Sequence, residues 1–172
     1  SYRFAHPAHR SGEVMEGERM SDVRLIERWL PIAALSEESV RERRMATALP
    51  PINFLHVWWA RRPLIASRAA ILASLLSEHA SHSDFQAAIG ILGDPVKTRR
   101  RIDLAKKTGE DLGLDPYGYK RAFTYTPSLH QLRKLGLPTE NSPLVLDPTA
   151  GGGSIPFEAV RLGVGAIAND LN

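Results

Sequence analysis

Apolar residues recur at helical spacing through most of this chain and gather into short unbroken runs only near its C-terminal end. Val23, Ile26, Trp29 and Leu30 form one stripe that stops at Pro31, with Ser21 or Asp22 as its helix cap after a natural start at Met20. Ser36-Glu37-Glu38 opens a charged helix through Arg44, its acids placed in the first turn. Phe54 to Trp59 is aromatic and reads as extended. Pro63 suits the first turn of a helix in which Ile65, Ala69, Leu72, Leu75 and Leu76 repeat with helical spacing. Ser83 and Gln86 form a capping box for a shorter helix that Gly93-Asp94-Pro95 ends. Further helices are expected near 96–108 and 128–135, the second terminated by Gly136. Gly, Pro and Tyr between 113 and 127 mark a loop-rich stretch, and residues 1–19, which lack periodicity, read as a disordered leader.

The pattern changes at Pro143. Leu144-Val145-Leu146 runs into Asp147 as a buried strand, and Pro148-Thr149-Ala150-Gly151-Gly152-Gly153 follows as a glycine turn. Ser154 to Gly163 reads as a helix, and Gly165 to Asn169 as a second strand ending at Asp170. The expected fold is α/β: a helical N-terminal region over 20–142, with a basic, loop-rich insertion, leads into the first strands of an incomplete sheet at 143–172. A strand, glycine turn and helix of this kind bind a small molecule at the strand ends of an open sheet.

Composition narrows the classes. A chain of 172 residues with 43% hydrophobic and 24% charged positions has enough material for a real core. Cysteine is absent, which removes disulfides, thiol chemistry and cysteine-based zinc sites from this stretch. No apolar run approaches a membrane span, so a cytoplasmic protein without a membrane partner is expected. The net charge is only +3, but the cations cluster: Arg41 to Arg44, Arg61-Arg62, Lys97 with Arg99, Arg100 and Arg101, and Lys106-Lys107. Such clusters suit nucleic-acid phosphates, and equally a solvated helix face; Lys97, Arg99, Arg100 and Arg101 are the candidate nucleic-acid contacts.

The glycine turn can be tested against its competitors. A phosphate-cradling loop ends in Gly-Lys-Ser/Thr, whereas Gly153 is followed by Ser154-Ile155. The dinucleotide fingerprint wants a third glycine where Pro156 stands. The remaining candidate is S-adenosylmethionine. Small residues at Ala150, Gly151 and Gly153 let a ligand approach the backbone, and the helix starting near Ser154 aims N–H groups at a carboxylate. Asp170 can accept bonds from two ribose hydroxyls. The alternative is a tight strand-to-helix turn with no ligand.

Asp147-Pro148-Thr149-Ala150-Gly151-Gly152-Gly153-Ser154 resembles the first motif of amino-group-modifying DNA methyltransferases. His56-Val57-Trp58-Trp59-Ala60-Arg61-Arg62-Pro63-Leu64, with Ser67-Arg68-Ala69 after it, and Ile32 to Arg44 before it, resemble the opening of a family of adenine-specific DNA methylases. The N-terminal region of that family is a domain of unknown function, of the 1156 type. The resemblance covers residues 24–76 and 143–172. It implies a Rossmann-like S-adenosylmethionine-dependent methyltransferase sheet, and cofactor contacts from Asp147, Pro148, Thr149, Ala150, Gly151, Gly153, Ser154 and Asp170. It also places Trp58, Arg61, Arg62 and Pro63 at the start of a helix beside the cofactor's methionine end. Core packing is an equal alternative for one of Trp58 and Trp59, and one arginine of the pair reads as a surface residue. His56 reads as structural.

The resemblance stops short of the chemistry. Such enzymes hold the amine with an Asp/Asn/Ser-Pro-Pro-aromatic loop, which stacks on a flipped base. Pro50-Pro51 has the wrong flanks, and Asp115-Pro116-Tyr117 lacks the second proline and precedes the glycine turn. No catalytic residue and no metal site is therefore expected. The expected function is the cofactor-binding N-terminal part of a prokaryotic DNA adenine methyltransferase of a modification or phage-defence system, acting on DNA with a downstream catalytic segment or partner chain, and inactive alone. The alternative is a non-catalytic nucleic-acid or protein-binding module derived from such an enzyme.

Overall fold

The computed structural model describes residues 23–44, 58, 61–138 and 143–171. The leader expected at 1–19 lies outside the described residues, as does the extended reading of Phe54 to Trp59 apart from Trp58 itself. Among the described residues the protein is mixed α/β, mostly helical, with a parallel sheet of two strands.

Helix α1 (Leu25–Arg28) is a single turn. Leu25 is the residue it buries, whereas Ile26, expected on the inner stripe, is exposed. A short antiparallel bridge between Arg24 and Ser77 pins this turn to the core, and bridge geometry rather than helical spacing sets which side faces in. Helix α2 (Ile32–Arg43) begins after a Pro31 cap, four residues before the Ser36-Glu37-Glu38 expected to open it. Proline needs no N–H at a helix start, so it begins the helix without an acidic first turn. Two acids sit on the buried side of α2. Glu38 accepts from the Tyr119 hydroxyl at 2.8 Å and from the Ala122 N–H at 3.1 Å. Glu42 accepts from the N–H groups of Leu64 and Ile65 at 2.9 and 3.4 Å.

Helix α3 (Leu64–Leu75) is the centre of the molecule. Pro63 is its cap rather than its first turn, and Glu42 supplies the acceptor that Pro63 lacks. Ile65, Ala69, Leu72 and Leu76 are buried as their spacing predicts. Helix α4 (His82–Ile89) is capped by Ser81, not Ser83, and ends at Gly90 rather than at Gly93-Asp94-Pro95. Gly90 holds φ +92, and a Cβ there would lie 2.8 Å from both the Ala122 carbonyl oxygen and the Tyr125 Cβ. Asp94 and Pro95 instead begin helix α5 (Pro95–Thr108), with Asp94 accepting from the Lys97 N–H at 2.8 Å. A 3-10 turn (Ala122–Thr124) and helix α6 (Leu129–Lys134) follow, the latter closed by a Ser128–Gln131 capping box and a left-handed Gly136.

Strand β1 (Leu144–Asp147) pairs in parallel with β2 (Gly165–Ala168), Leu144 opposite Gly165 and Asp147 opposite Ala168. Helix α7 (Ser154–Arg161) crosses between them and packs on α3. Val145 and Ala166, on one face, pack against a core that includes Leu25, Ile65, Leu72, Phe85, Leu132 and Leu162. That core draws on both the helical region and the strand unit. Leu144, Leu146 and Ile167 share the other face and are exposed.

A candidate small-molecule site at the strand ends

The crossover β1–α7–β2 brings Asp147 and Asp170 to the same end of the sheet. Asp147 is the last residue of β1 and is buried. One of its carboxylate oxygens accepts from the Thr149 N–H at 3.2 Å, an Asx turn that bends the chain out of the strand. The other oxygen is buried and has no hydrogen-bond partner among the described residues. Buried acceptors are nearly always satisfied, so this oxygen marks a place where a donor belongs.

The loop after Asp147 is fastened at three points. Ala150 donates to the Asn169 carbonyl at 2.9 Å, Gly151 donates to the Asp170 carboxylate at 2.5 Å, and Gly153 donates back to Ala150 at 2.9 Å. Gly151 and Gly153 take left-handed φ values of +53° and +72°. Room at Gly151 is used by Trp58: a Cβ there would lie 2.7 Å from the indole Nε1, and one on Gly152 would lie 3.3 Å from the Trp58 Cβ. The glycines were expected to clear space for a ligand. What they clear on this side is the seat of an indole, so Trp58 forms a wall of the loop.

Helix α7 begins at Ser154 with Gly153 as its cap and no side-chain cap bond. Pro156 carries no N–H and Phe157 donates to the Gly153 carbonyl at 3.0 Å, so the first turn offers the N–H groups of Ser154 and Ile155. Ser154 is buried, and its hydroxyl accepts from the Ser67 hydroxyl at 3.1 Å, which ties the glycine turn to the second turn of α3. The arrangement thus offers one unused buried anion oxygen, one carboxylate at the tip of β2 and one helix N-terminus around a glycine turn. Asp147 Oδ2 suits a cationic donor, the helix start suits an anion, and Asp170 suits hydroxyls.

Not every expected residue joins this group. Asp147, Thr149, Ala150, Gly151, Gly153, Ser154, Asp170 and Trp58 meet at the loop, with Pro148 in its first bend. Arg61 and Arg62 are exposed, and Pro63 caps α3 with Glu42 over the helix start. Lys97, Arg100 and Arg101 share one exposed face of the helix, and Arg99 lies on another. Arg99 pairs with Asp103 at 3.0 Å, and Arg101 with Glu110 at 3.3 Å. Lys97 and Arg100 are exposed.

The sequence reading missed a second polar centre one helical turn away. Arg68 and Glu158, both fully buried, form a two-pronged ion pair of 2.7 and 3.1 Å. Arg68 also donates to the carbonyls of Ile89, Ala122 and Phe123. Arg161 bonds Glu158 at 2.7 Å and donates to the carbonyls of Phe123 and Tyr125. The signal was present: Arg68 is the one charged residue in the apolar run Leu64–Leu75.

A family model described as a protein of unknown function (DUF1156) matches residues 29–89, and that stretch is of this domain type. The match takes in α2, α3 and α4, with Trp58 and Arg68, and ends before the glycine turn. No curated protein and no solved structure matches the chain.

Proposed function

We propose that the strand-end site holds S-adenosylmethionine and that the chain is the cofactor-binding part of a DNA adenine amino methyltransferase of a prokaryotic modification or defence system. The reading rests on the unused Asp147 oxygen beside the glycine turn. In it, Asp147 receives the cofactor's ammonium group, the first turn of α7 faces its carboxylate, and Asp170 accepts from the ribose. When bound, the cofactor supplies a sulfonium methyl group for transfer. The chain's own part is to bind and orient, and Trp58 keeps water from one side of the loop. The exposed apolar face of Leu144, Leu146 and Ile167 also supports it, because parallel strands are normally covered on both faces. The Rossmann-like sheet of the proposal would be completed by further strands, from a downstream segment or a partner chain.

Calorimetry with S-adenosylmethionine tests the reading. Saturable binding that Asp147→Ala and Asp170→Ala both weaken is the expected result. No binding by this chain, nor by one joined to a downstream catalytic segment, would leave the alternative of a non-catalytic binding module. Labelled methyl groups should enter DNA only when a catalytic segment is supplied. Transfer by this chain alone would mean that another residue set carries the reaction.

A further inference from the structure

A second cavity lies on the far side of α2, away from the strand ends. It measures about 290 Å³ and is lined by residues of α2, of α5 and of the loop through 114–121. That volume is at the low end of ligand sites. Its walls carry Arg41, Arg44, Arg99, Lys106 and Arg121 against Glu37 and Asp115. The tripeptide Asp115-Pro116-Tyr117, which has no place in the strand-end site, forms one side.

The cleft is built rather than incidental. The Arg41 guanidinium lies 4.0 Å from the Tyr117 ring centroid and 4.8 Å from that of Tyr119. Arg41 is held in place by Glu38 at 3.1 Å and by the Tyr119 carbonyl at 2.6 Å. This stack fixes one wall, since a planar guanidinium over an aromatic ring is a stiff pair. Arg44 and Lys106 stand at the solvent side, exposed, and make no ion pair among the described residues. On α5 the helical spacing puts Arg99, Ile102 and Lys106 on the cleft face, with Lys107 and Arg100 about a third of a turn away and exposed. Lys97 falls on the opposite side of α5, and Arg101 is turned about as far from the cleft as Arg100 but in the other direction, where it pairs with Glu110. Cations without an ion pair among the described residues therefore continue from the cleft toward Lys107 and Arg100, whereas Arg101 on the other flank is paired.

We propose that this cleft seats one phosphate of a single-stranded nucleic acid, contacted by Arg44 and Lys106, while Arg100 and Lys107 track the neighbouring phosphates. A free small anion would need the cleft alone. The cations continuing beside it point to a chain of phosphates, and the small volume admits one nucleotide rather than a duplex. This inference does not depend on cofactor binding at the strand ends.

The test is fluorescence polarisation with labelled oligothymidylate and oligouridylate over a salt series. The double variant Arg44→Gln/Lys106→Gln should bind at least tenfold more weakly, and its log–log salt slope should fall by about 1.4, two contacts at about 0.7 each. Lys97→Gln/Arg101→Gln, neither of which lines the cleft, should match the wild type. Equal losses from both pairs would mean a diffuse positive surface and would overturn the site. So would an unchanged slope in the cleft variant, or displacement of the oligonucleotide by inorganic phosphate at equal phosphate concentration. Tighter binding of duplex than of single strands would also overturn it. Melting curves confirm folding of each variant, and S-adenosylmethionine titration of the same proteins separates the two sites. Loss of cofactor binding with oligonucleotide binding intact counts against the strand-end proposal alone.

Discussion

Two polar centres, one around Glu158 on α7 and one around Asp147 at the end of β1, are built on opposite terms. Around Glu158, every charge is answered: Arg68 and Arg161 bond its carboxylate, and their remaining N–H groups take the carbonyls of Ile89, Ala122, Phe123 and Tyr125. Around Asp147, one buried oxygen is left unanswered, and the loop beside it is held by backbone bonds and a tryptophan wall. The satisfied centre locks the 122–125 turn onto α3 and α7 and so orders the chain. The unsatisfied one lies at strand ends, where a ligand can supply what the fold withholds. Polar satisfaction, more than residue type, separates the two roles.

The largest test of that contrast is Arg68→Leu. It leaves Glu158 buried with only Arg161 and strips three carbonyls of a donor, so unfolding in urea should show a loss of about 3–5 kcal/mol. Arg68→Leu/Glu158→Leu should recover much of it, because no uncompensated charge remains. A loss below about 1 kcal/mol in the single variant would place Arg68 among ordinary surface ion pairs. At the other centre the effect should fall on ligand affinity. Asp170→Ala should weaken S-adenosylmethionine binding by roughly 1.5–3 kcal/mol, read by calorimetry. If affinity stays unchanged in a folded variant, Asp170 only ties the loop through Gly151.

Much of this contrast could be read from the chain, and the rest could not, for physical reasons. The strand unit was legible because its signals are local. An apolar run, a triple glycine and an acid at each strand end fix β1, α7 and β2 within a few residues. The α3 stripe was legible for the same reason, since Ile65, Ala69, Leu72 and Leu76 face one way at helical spacing. Beyond the local Arg41 and Arg161, the partners of Glu38, Glu42 and Glu158 lie 22 to 90 residues away in sequence, and no local pattern encodes them. The start of α4 was misplaced because Ser81 and Ser83 are equally good caps, and their hydroxyls are in fact 3.1 Å apart. Its end was misplaced because Gly90 must pack against Ala122 and Tyr125, a tertiary demand that outweighs the Gly93-Asp94-Pro95 signal. Of the four candidate phosphate contacts on α5, Lys97, Arg100 and Arg101 share a face and Arg99 is turned away toward the cleft, which a cluster count does not detect.

The glycine turn offers a sharper test of the comparison. Gly151→Ala puts a Cβ 2.7 Å from the Trp58 Nε1 on a residue with φ +53°. The left-handed backbone alone should cost about 1–2 kcal/mol, with the indole clash added. Combining it with Trp58→Ala should remove the clash and leave the backbone cost. A double-mutant cycle on thermal stability measures that coupling. If the two substitutions add independently, Trp58 does not form the loop's wall.

The smallest expected effect concerns a carboxylate that belongs to the ordering half of the molecule. Glu42 accepts two N–H groups at the start of α3, which favours its charged form, yet burial outweighs them and raises its pKa above the ordinary 4.5. A raised pKa means that the folded state holds this proton more tightly than the unfolded chain does. In the window above 4.5 the native protein then binds more protons, and stability falls as pH rises through the folded value. Glu42→Gln cannot titrate, and the other carboxylates are common to both proteins. The stability of wild type relative to Glu42→Gln should therefore be greatest at and below pH 4.5 and decline as pH rises, then level off. Urea midpoints for the two proteins across that range measure it. A difference that is flat with pH would show that two backbone donors fully offset burial. A difference that grows in favour of the wild type would reverse the sign and make Glu42 a stabilising charge, like Glu158, rather than a buried acid held against its preference.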